Sequence, residues 1–160
     1  MSEELITMLQ QHFRAPVPGL AWSSMILRLG MAVVLGAILG WEREQHQKAA
    51  GLRTHILIAV AACVFAILTI GLLKDPIAEG EAVRTDPIRL IEAVTAGVAF
   101  LAAGTIFTSG KNRVHGLTTG AGMWMAGAMG AACGLGYLGL ATLAAGLALM
   151  VLWLLRVAVE

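Results

Sequence analysis

Five apolar runs, each close to 20 residues long, follow one another between residues 21 and 156 of this chain of 160 residues. A helix needs about 20 mainly apolar residues to cross the hydrocarbon core of a bilayer. We therefore predict an all-α polytopic membrane bundle of about five transmembrane helices over residues 21–160, preceded by a surface or disordered segment over residues 1–20. The spans are predicted at about 21–41, 54–73, 88–108, 117–134 and 137–156.

Composition supports this class and excludes others. Hydrophobic residues make up 58% of the chain and charged residues 13%, which is outside the range of ordinary soluble domains. A net charge of +1 gives no basic field to attract nucleic acid, so we predict no such partner. Cys63 and Cys133 have neither metal-site spacing nor the density of a disulfide scaffold. We interpret both as packing residues rather than as a disulfide or a reactive thiol, and we predict no cofactor and no metal.

The distribution of lysine and arginine predicts how the spans are oriented, because short loops rich in these residues stay in the cytoplasm. Six of them follow spans 1, 3 and 5, and four lie on the other side. We therefore predict an N-terminus outside and a C-terminus in the cytoplasm. The cytoplasmic set is Arg43, Lys48, Arg53, Lys111, Arg113 and Arg156, and the outer set is Arg14, Lys74, Arg84 and Arg89.

A short repeat is compatible with this layout. The segment "AGLRTH" at 50–55 opens span 2, and "HGLTTG" at 115–120 opens span 4. Each follows a span and a polar loop, which favours two repeated helical hairpins plus a fifth helix. Chance similarity between two glycine-rich hairpins is the alternative.

Small residues at helical spacing predict where helices approach each other, since helices in lipid associate through close backbone contact. The candidates lie in spans 1, 3 and 4, which we expect to form the tight centre, whereas the leucine-rich span 5 is expected to face lipid. A homodimer through span 1 or span 4 is a hypothesis from the same spacing. The candidate packing residues are Gly36, Gly40, Gly97, Gly104, Ala126, Gly130 and Gly134.

Two charged residues lie well inside predicted spans, Arg28 about seven residues into span 1 and Glu92 about four residues into span 3. A charge at that depth costs a few kcal/mol unless it is paired or hydrated. Both lie in the outer half of the membrane, at heights that differ by roughly 7 Å. We predict an ion pair that joins the two spans. The alternative is that each side chain snorkels separately to the interface.

The densest charge cluster lies between spans 1 and 2, in "GWEREQHQKAAGLRTH" at 40–55. Thr54 is a candidate cap for the first amides of span 2, and the arginine and histidine beside it lie at the same positive helix end. Because such an end suits a carboxylate, we predict that Glu42 or Glu44 folds back onto it.

A metal site in this stretch is the weaker interpretation, because His46 lies only two residues from Glu44 and the two do not share a helix face. The sequence therefore predicts a polar site held by ion pairs and a cap, with two threonines at the start of span 4 as further members. The candidate polar residues are Arg28, Glu42, Glu44, Arg53, Thr54, His55, Glu92, Thr118 and Thr119.

Four motifs in this order resemble the MgtC/SapB family of bacterial inner-membrane proteins: "RLGMAVVLGAILGWERE", "KAAGLRTHILIAV", "DPIRLIEAVTAGVAFLAAGTIF" and "VHGLTTGAGMW". The resemblance covers roughly residues 25–155. It implies about five membrane helices, adaptation to low magnesium or to life inside host cells, and action by modulating other membrane proteins without catalysis. The matching signature positions are Arg28, Gly40, Glu42, Arg43, Glu44, Gly51, Leu52, Arg53, Thr54, His55, Gly104, Gly116, Leu117, Thr118 and Thr119.

The chain departs from the family pattern at two points. Ala99 and Ala102 replace two glycines that are usual in the third span, which is expected to loosen close contacts there. Longer members continue into a soluble cytoplasmic domain beyond the point where this sequence stops, so a role of that domain is not transferred to this chain.

The sequence leaves three classes of function open. The preferred hypothesis is a non-enzymatic membrane regulator, with the bilayer and another membrane protein as its partners. The alternative is a small ion transporter or channel with a polar path near Arg28 and Glu92. An enzyme is the weakest hypothesis, because Ser109, Lys111 and His115 share a loop without a phosphate-binding pattern.

Overall fold

Five long helices and one short hairpin make up most of residues 6–7, 17–74, 87–109 and 113–159, which are the residues that our computed structural model describes. The predicted all-α helical bundle is therefore confirmed. An antiparallel pair of three-residue strands, β1 (Phe107–Ser109) and β2 (Arg113–His115), joins the third helix to the fourth. The helices are α1 (Trp22–Gln45), α2 (Leu52–Leu73), α3 (Pro87–Ala103), α4 (Leu117–Leu135) and α5 (Leu138–Val159).

Two of these helices, α1 and α2, are long and apolar enough to cross a bilayer by length and composition. The first twenty residues lie largely outside the part of the chain that the structure describes, and so does the surface or disordered segment predicted there. From Val17 onward the chain makes a turn in which the Leu20 amide donates to the Val17 carbonyl at 3.1 Å. The Val17 side chain then packs against α2 at Gly71.

Helix ends differ from the predicted ones for local reasons. Helix α1 continues four residues beyond the predicted span end and stops where Gln47 takes a left-handed conformation (φ 50°). The Gln47 amide donates to the Glu44 carbonyl and the Lys48 amide to the Arg43 carbonyl, which is a Schellman ending. Helix α3 ends five residues early, because the amide and hydroxyl of Thr105 both donate to the Ala102 carbonyl and turn the chain into β1.

Helix α4 is the centre of the bundle, since it contacts each of the other four helices. Its closest neighbour is α2, and α2 in turn packs closely on α1. The tight centre consists of α1, α2 and α4. The prediction that spans 1, 3 and 4 form it is therefore wrong for span 3, whose place is taken by α2. Helix α3 packs mainly on α4 and only lightly on α2.

Glycines explain which helices meet so closely. A side-chain carbon at Gly130 of α4 would overlap the backbone of Ala59 in α2, and one at Gly134 would overlap the Cys63 carbonyl. On the other side of α2, a carbon at Gly36 or Gly40 of α1 would come within 3.0 Å of α2 atoms. Helix α2 is therefore clamped between two glycine faces.

The two candidate packing glycines of the predicted span 3 make no contact with a neighbouring described helix, which corrects the prediction for them. Among the described residues, Gly97 has no atom within 4 Å of the place where its Cβ would stand. Gly104 meets only the Leu101 carbonyl of the preceding turn. Both glycines are exposed, and Gly97 faces a gap between α3 and α2 instead of a packed helix.

The core between α1, α2 and α4 is rich in small and sulfur-containing residues. Ala59, Cys63, Ala126 and Cys133 are fully buried, and both cysteines are free thiols that pack in the core. Such small side chains let the helix backbones approach closely, as expected for helices in lipid.

A buried polar cluster as the candidate functional site

Three polar side chains are buried in the described part of the chain, and all three lie at the same end of the bundle. Arg43 in the last turn of α1 and Thr119 at the start of α4 are each 4% exposed, and His55 in the first turn of α2 is fully buried. This end is where the chain enters α2 and α4. The helix starts predicted from the repeated Gly-Leu segments therefore converge on one polar cluster.

The Glu42 carboxylate compensates the charge of Arg43. Its Oε2 accepts a hydrogen bond from Arg43 Nε. His46 lies one turn further along α1, with its Nδ1 2.6 Å from the Glu42 carbonyl oxygen and 3.3 Å from Oε1. Since a carbonyl only accepts, the Nδ1–H of His46 is the donor to it. These three residues form a local network on α1.

Glu44 folds back onto the start of α2, as one of the two predicted arrangements requires. Its Oε2 accepts the Leu52 amide at 2.9 Å. A side-chain carbon at Gly51 would overlap this carboxylate, so the glycine makes room for it. Gly51 is the residue before the first helical turn and offers no side-chain cap of its own. Glu44 supplies the missing acceptor at the positive helix end.

Thr54 does not cap α2, which corrects that prediction. It is the third residue of the helix, whereas a cap must precede the first turn. Arg53 is exposed at the same end, and Thr118 is exposed beside the buried Thr119. The structure therefore brings four of the candidate polar residues to the cluster: Glu42, Glu44, His55 and Thr119. Arg53, Thr54 and Thr118 lie at its edge.

His55 has one ring nitrogen with a partner and one without. Nδ1 lies 2.8 Å from the Gly51 carbonyl and so carries the hydrogen that it donates. Nε2, which bears the lone pair in the neutral ring, is buried and has no hydrogen-bond partner among the described residues. This nitrogen faces α4.

Gly122 of α4 makes space for this imidazole, and the sequence analysis missed it. A Cβ there would stand 3.2 Å from His55 Nε2 and 3.8 Å from Arg43 Cδ. The signal was present in "GLTTGAGMW", where Gly122 lies one turn after the buried threonine. In a chain with 19 glycines, however, nothing in the spacing singles it out.

Arg28 lies at the opposite end of the bundle and binds a helix end. Its Nη1 donates to the Gly134 carbonyl at 2.6 Å, in the last turn of α4. Helix α4 then ends in a Schellman motif, in which Gly136 takes the left-handed conformation (φ 92°) beside the same guanidinium. A cation is favoured there by the partial negative charge of the carbonyls that end a helix.

The predicted ion pair between Arg28 and Glu92 is absent from the described part of the structure. Glu92 is exposed on α3, and α1 packs mainly on α2, α4 and α5. The backbone carbonyl of Gly134 takes the place of the carboxylate as the partner of Arg28. The same residues contain no group of three histidine, cysteine or acidic side chains placed to hold a metal ion.

Comparison with known proteins decides the family. The sequence profile of the MgtC family matches residues 29–160. The chain belongs to the MgtC family. The MgtC family resemblance drawn from the sequence motifs is thereby confirmed.

Three relatives show how much of the chain is shared. The chain is 39% identical over 107 residues to an uncharacterized protein of Haemophilus influenzae, which covers 67% of this chain and 45% of that protein. It is 37% identical over 112 residues to protein SapB of Bacillus subtilis (70% and 48%). It is 39% identical over 111 residues to protein MgtC of Salmonella typhimurium (69% and 43%). No solved structure shows a significant match to the chain.

The match spans less than half of the length of these MgtC family relatives. The family profile, which covers residues 29–160, includes the polar cluster and the two glycine faces around α2. Arg28 is the residue directly before that boundary.

Proposed function

We propose that this protein is a non-enzymatic regulator in the bacterial inner membrane that acts by docking on another membrane protein through α5. The observation that carries the proposal is an open face on that helix. Within the described part of the chain, no atom lies within 4 Å of the place where a Cβ of Gly139 or Gly146 would stand. A surface groove of about 610 Å³ runs over this face and is lined by Gly139, Thr142, Leu143, Gly146, Leu147 and Met150.

This face has the chemistry of a contact between membrane helices. Gly139 and Gly146 are two turns apart and Thr142 lies between them on the same side, so the backbone of a second helix can approach closely. The Thr142 hydroxyl already donates to the Leu138 carbonyl at 2.9 Å and needs no further partner. A neighbouring apolar helix therefore fits here without leaving a polar group unpaired.

The small-residue faces of α1 and α4 are used within the chain. Gly36 and Gly40 lie against α2 from one side, and Gly130 and Gly134 from the other. A partner or a second copy that docked there would have to displace α2. This favours α5 over the homodimer contacts that the spacing in spans 1 and 4 had indicated.

The alternative of an ion transporter receives less support. The buried polar side chains Arg43, His55 and Thr119 lie at one end, and Arg28 lies at the other. In the described residues the layer between them is filled by apolar side chains such as Leu35, Cys63, Ala126 and Met129. An ion that crossed this layer would lose its hydration without protein ligands to replace it.

Five crossings, with the N-terminus outside and the C-terminus in the cytoplasm, complete the proposal. Lys48 and Arg53 are exposed at the end of the bundle where α2 and α4 begin, and the hairpin that carries Arg113 leads into the same end. Their charge supports this end as the cytoplasmic one. The role itself, in adaptation to low magnesium or in survival inside host cells, is proposed from the family resemblance.

The test compares two glycines that are both open. Gly146→Leu fills the α5 groove, whereas Gly30→Leu adds the same bulk to an open site on α1. In a bacterial strain that depends on this protein for growth at low magnesium, we expect Gly146→Leu to abolish growth and Gly30→Leu to preserve it. A photoreactive residue at position 143, which lines the groove, should crosslink a second membrane protein in the wild type and lose that product in Gly146→Leu.

Normal growth of the Gly146→Leu strain with unchanged crosslinks would overturn the α5 site. Crosslinks only to a second copy of the chain would replace the partner by a homodimer. Comparable membrane levels of both variants are the required control for folding.

A further inference from the structure

We infer that the groove between α2 and α3 binds an anionic phospholipid, with an acyl chain along the groove and the phosphate at Arg89. This site is separate from the α5 face and does not depend on the regulatory role. It follows from the shape of the groove, its length and the position of its charge.

The groove exists because α3 packs on α4 and only lightly on α2. Its volume is about 810 Å³, within the usual range for ligand sites of a few hundred to about 1,000 Å³. Its walls are almost entirely apolar. They include Ile58, Phe65 and Leu72 of α2 and Leu90, Val94 and Val98 of α3.

Gly97 is part of the groove wall, and the absence of a side chain there keeps the groove wide. No described atom lies within 4 Å of its Cβ position, in contrast to the filled glycines on the other faces of α2. Within a bilayer, an apolar trough that opens sideways is filled by lipid tails, since no water is present to occupy it.

Among the described residues that line this groove one is charged, and it lies at one end. Arg89 is exposed in the first turn of α3, and no described residue forms an ion pair or hydrogen bond with its guanidinium. The other polar lining residue, Thr69, donates its hydroxyl to the Phe65 carbonyl at 2.9 Å. The groove therefore presents one cation to an otherwise apolar ligand, and guanidinium binds phosphate in a charge-assisted, bidentate manner.

The length of the groove fits a lipid chain better than a helix. Along α3 it runs from Arg89 to Leu101, about 18 Å, and along α2 from Ile58 to Leu72, about 21 Å. The hydrocarbon of one leaflet is about 15 Å thick, whereas a spanning helix needs about 30 Å. A phospholipid of the leaflet in which α3 begins would fill the groove and place its phosphate level with Arg89.

The binding test uses the purified full chain in detergent with added dioleoyl phosphatidylglycerol or, as the zwitterionic control, dioleoyl phosphatidylcholine. We expect phosphatidylglycerol to raise the midpoint of thermal unfolding by about 3–5 °C and phosphatidylcholine to raise it less. Arg89→Gln should remove the difference between the two lipids, with about ten-fold weaker phosphatidylglycerol binding. Arg89→Lys should retain most of it.

Gly97→Leu tests the groove itself, and Gly30→Leu is its matched control because both positions are open. We expect phosphatidylglycerol to raise the midpoint of thermal unfolding of Gly30→Leu but not that of Gly97→Leu. Equal shifts for the two lipids in the wild type, or an unchanged lipid preference in Arg89→Gln, would overturn the site. Gly146→Leu should keep the lipid shift, so failure of the α5 proposal and failure of this one are distinguishable.

A crosslinking arm identifies the occupant in the membrane. A photoreactive residue at position 93, in the α3 wall of the groove, should yield the intact chain with the added mass of one phospholipid. A product that contains another protein or a second copy of the chain would show that a helix occupies the groove and would overturn the inference.

Discussion

Two contacts made by the same helix differ sharply. On one side, α2 meets α4 so closely that Gly130 and Gly134 lie directly on the backbone of Ala59 and Cys63. On another side, α2 barely meets α3, and Gly97 opens into a groove. The glycines are alike in sequence, but only those opposite another backbone determine the fold. An open glycine instead leaves surface for a lipid or a partner.

The largest effect is expected from breaking the tight contact. Gly130→Ala places a methyl group on the Ala59 carbonyl, where both atoms belong to helices that cannot move independently. We expect a loss of about 3 kcal/mol or more in the free energy of unfolding, since overpacking of a filled core typically costs about 1–3 kcal/mol and backbone overlap is its severe form. Thermal unfolding of purified protein in detergent measures it. A midpoint equal to that of the wild type would show that the contact is loose.

A smaller loss is expected at the end of the same contact, where Arg28 holds the last turn of α4. Arg28→Gln removes a charged donor from the Gly134 carbonyl, and hydrogen bonds to charged groups contribute about 1.5–3 kcal/mol when buried. Because Arg28 is only partly buried, we expect about 1–2 kcal/mol. Arg28→Lys should recover part of this loss.

The same variant decides between the carbonyl and the carboxylate as the partner of Arg28. The effects of Arg28→Gln and Glu92→Gln should add within about 0.5 kcal/mol, as they do for sites that do not interact. A double variant markedly more stable than the sum would restore the ion pair between α1 and α3.

The start of α2 offers a third test, because this helix takes part in both contacts. Gly51→Ala displaces the Glu44 carboxylate, whereas its backbone (φ −111°) tolerates alanine. We expect a loss of about 1 kcal/mol, typical of a missing helix cap. In a Glu44→Ala background the same substitution should cost almost nothing. Thermal unfolding measures the cost of Gly51→Ala in both backgrounds. An equal cost would show that Gly51 does not act through the Glu44 cap.

The smallest expected effect is a gain in stability at an open glycine, opposite in sign to the loss expected at Gly130. Gly97→Ala adds a methyl group to an open helix face and meets no described atom. We expect a gain of about 0.5–1 kcal/mol, because alanine restricts the unfolded chain and favours helix. Thermal unfolding of Gly97→Ala and Gly130→Ala in the same detergent measures both effects. A loss of stability in Gly97→Ala would mean that α3 packs more tightly than the structure indicates.

The sequence predicted the helices well because each apolar run has the length of a helix that crosses a bilayer. It could not predict which glycines meet a neighbour, because four-residue spacing defines a face but not what lies opposite it. Gly97 and Gly130 belong to equally plausible small-residue faces, and only the placement of α2 distinguishes them.

The sequence also predicted only part of the candidate site, namely the contact between residues that are close in sequence. Glu44 reached the start of α2 as expected, because only a short loop separates the last turn of α1, which carries Glu44, from Leu52. The partner of Arg28 is a backbone carbonyl 106 residues away. Because every residue carries such a group, the sequence does not distinguish this carbonyl, whereas the Glu92 carboxylate stands out in an apolar span. The strands β1 and β2 have only three residues each and show no alternation long enough to be recognised.

We propose that the polar groups at the two ends of the bundle fasten helices and do not form a route for ions. Reconstitution of the purified chain into vesicles, with a flux readout for magnesium, protons and anions, tests it most directly. We predict no flux above that of empty vesicles, in the wild type and in the Arg28→Gln and Glu92→Gln variants alike. A selective flux that either substitution abolishes would contradict the account.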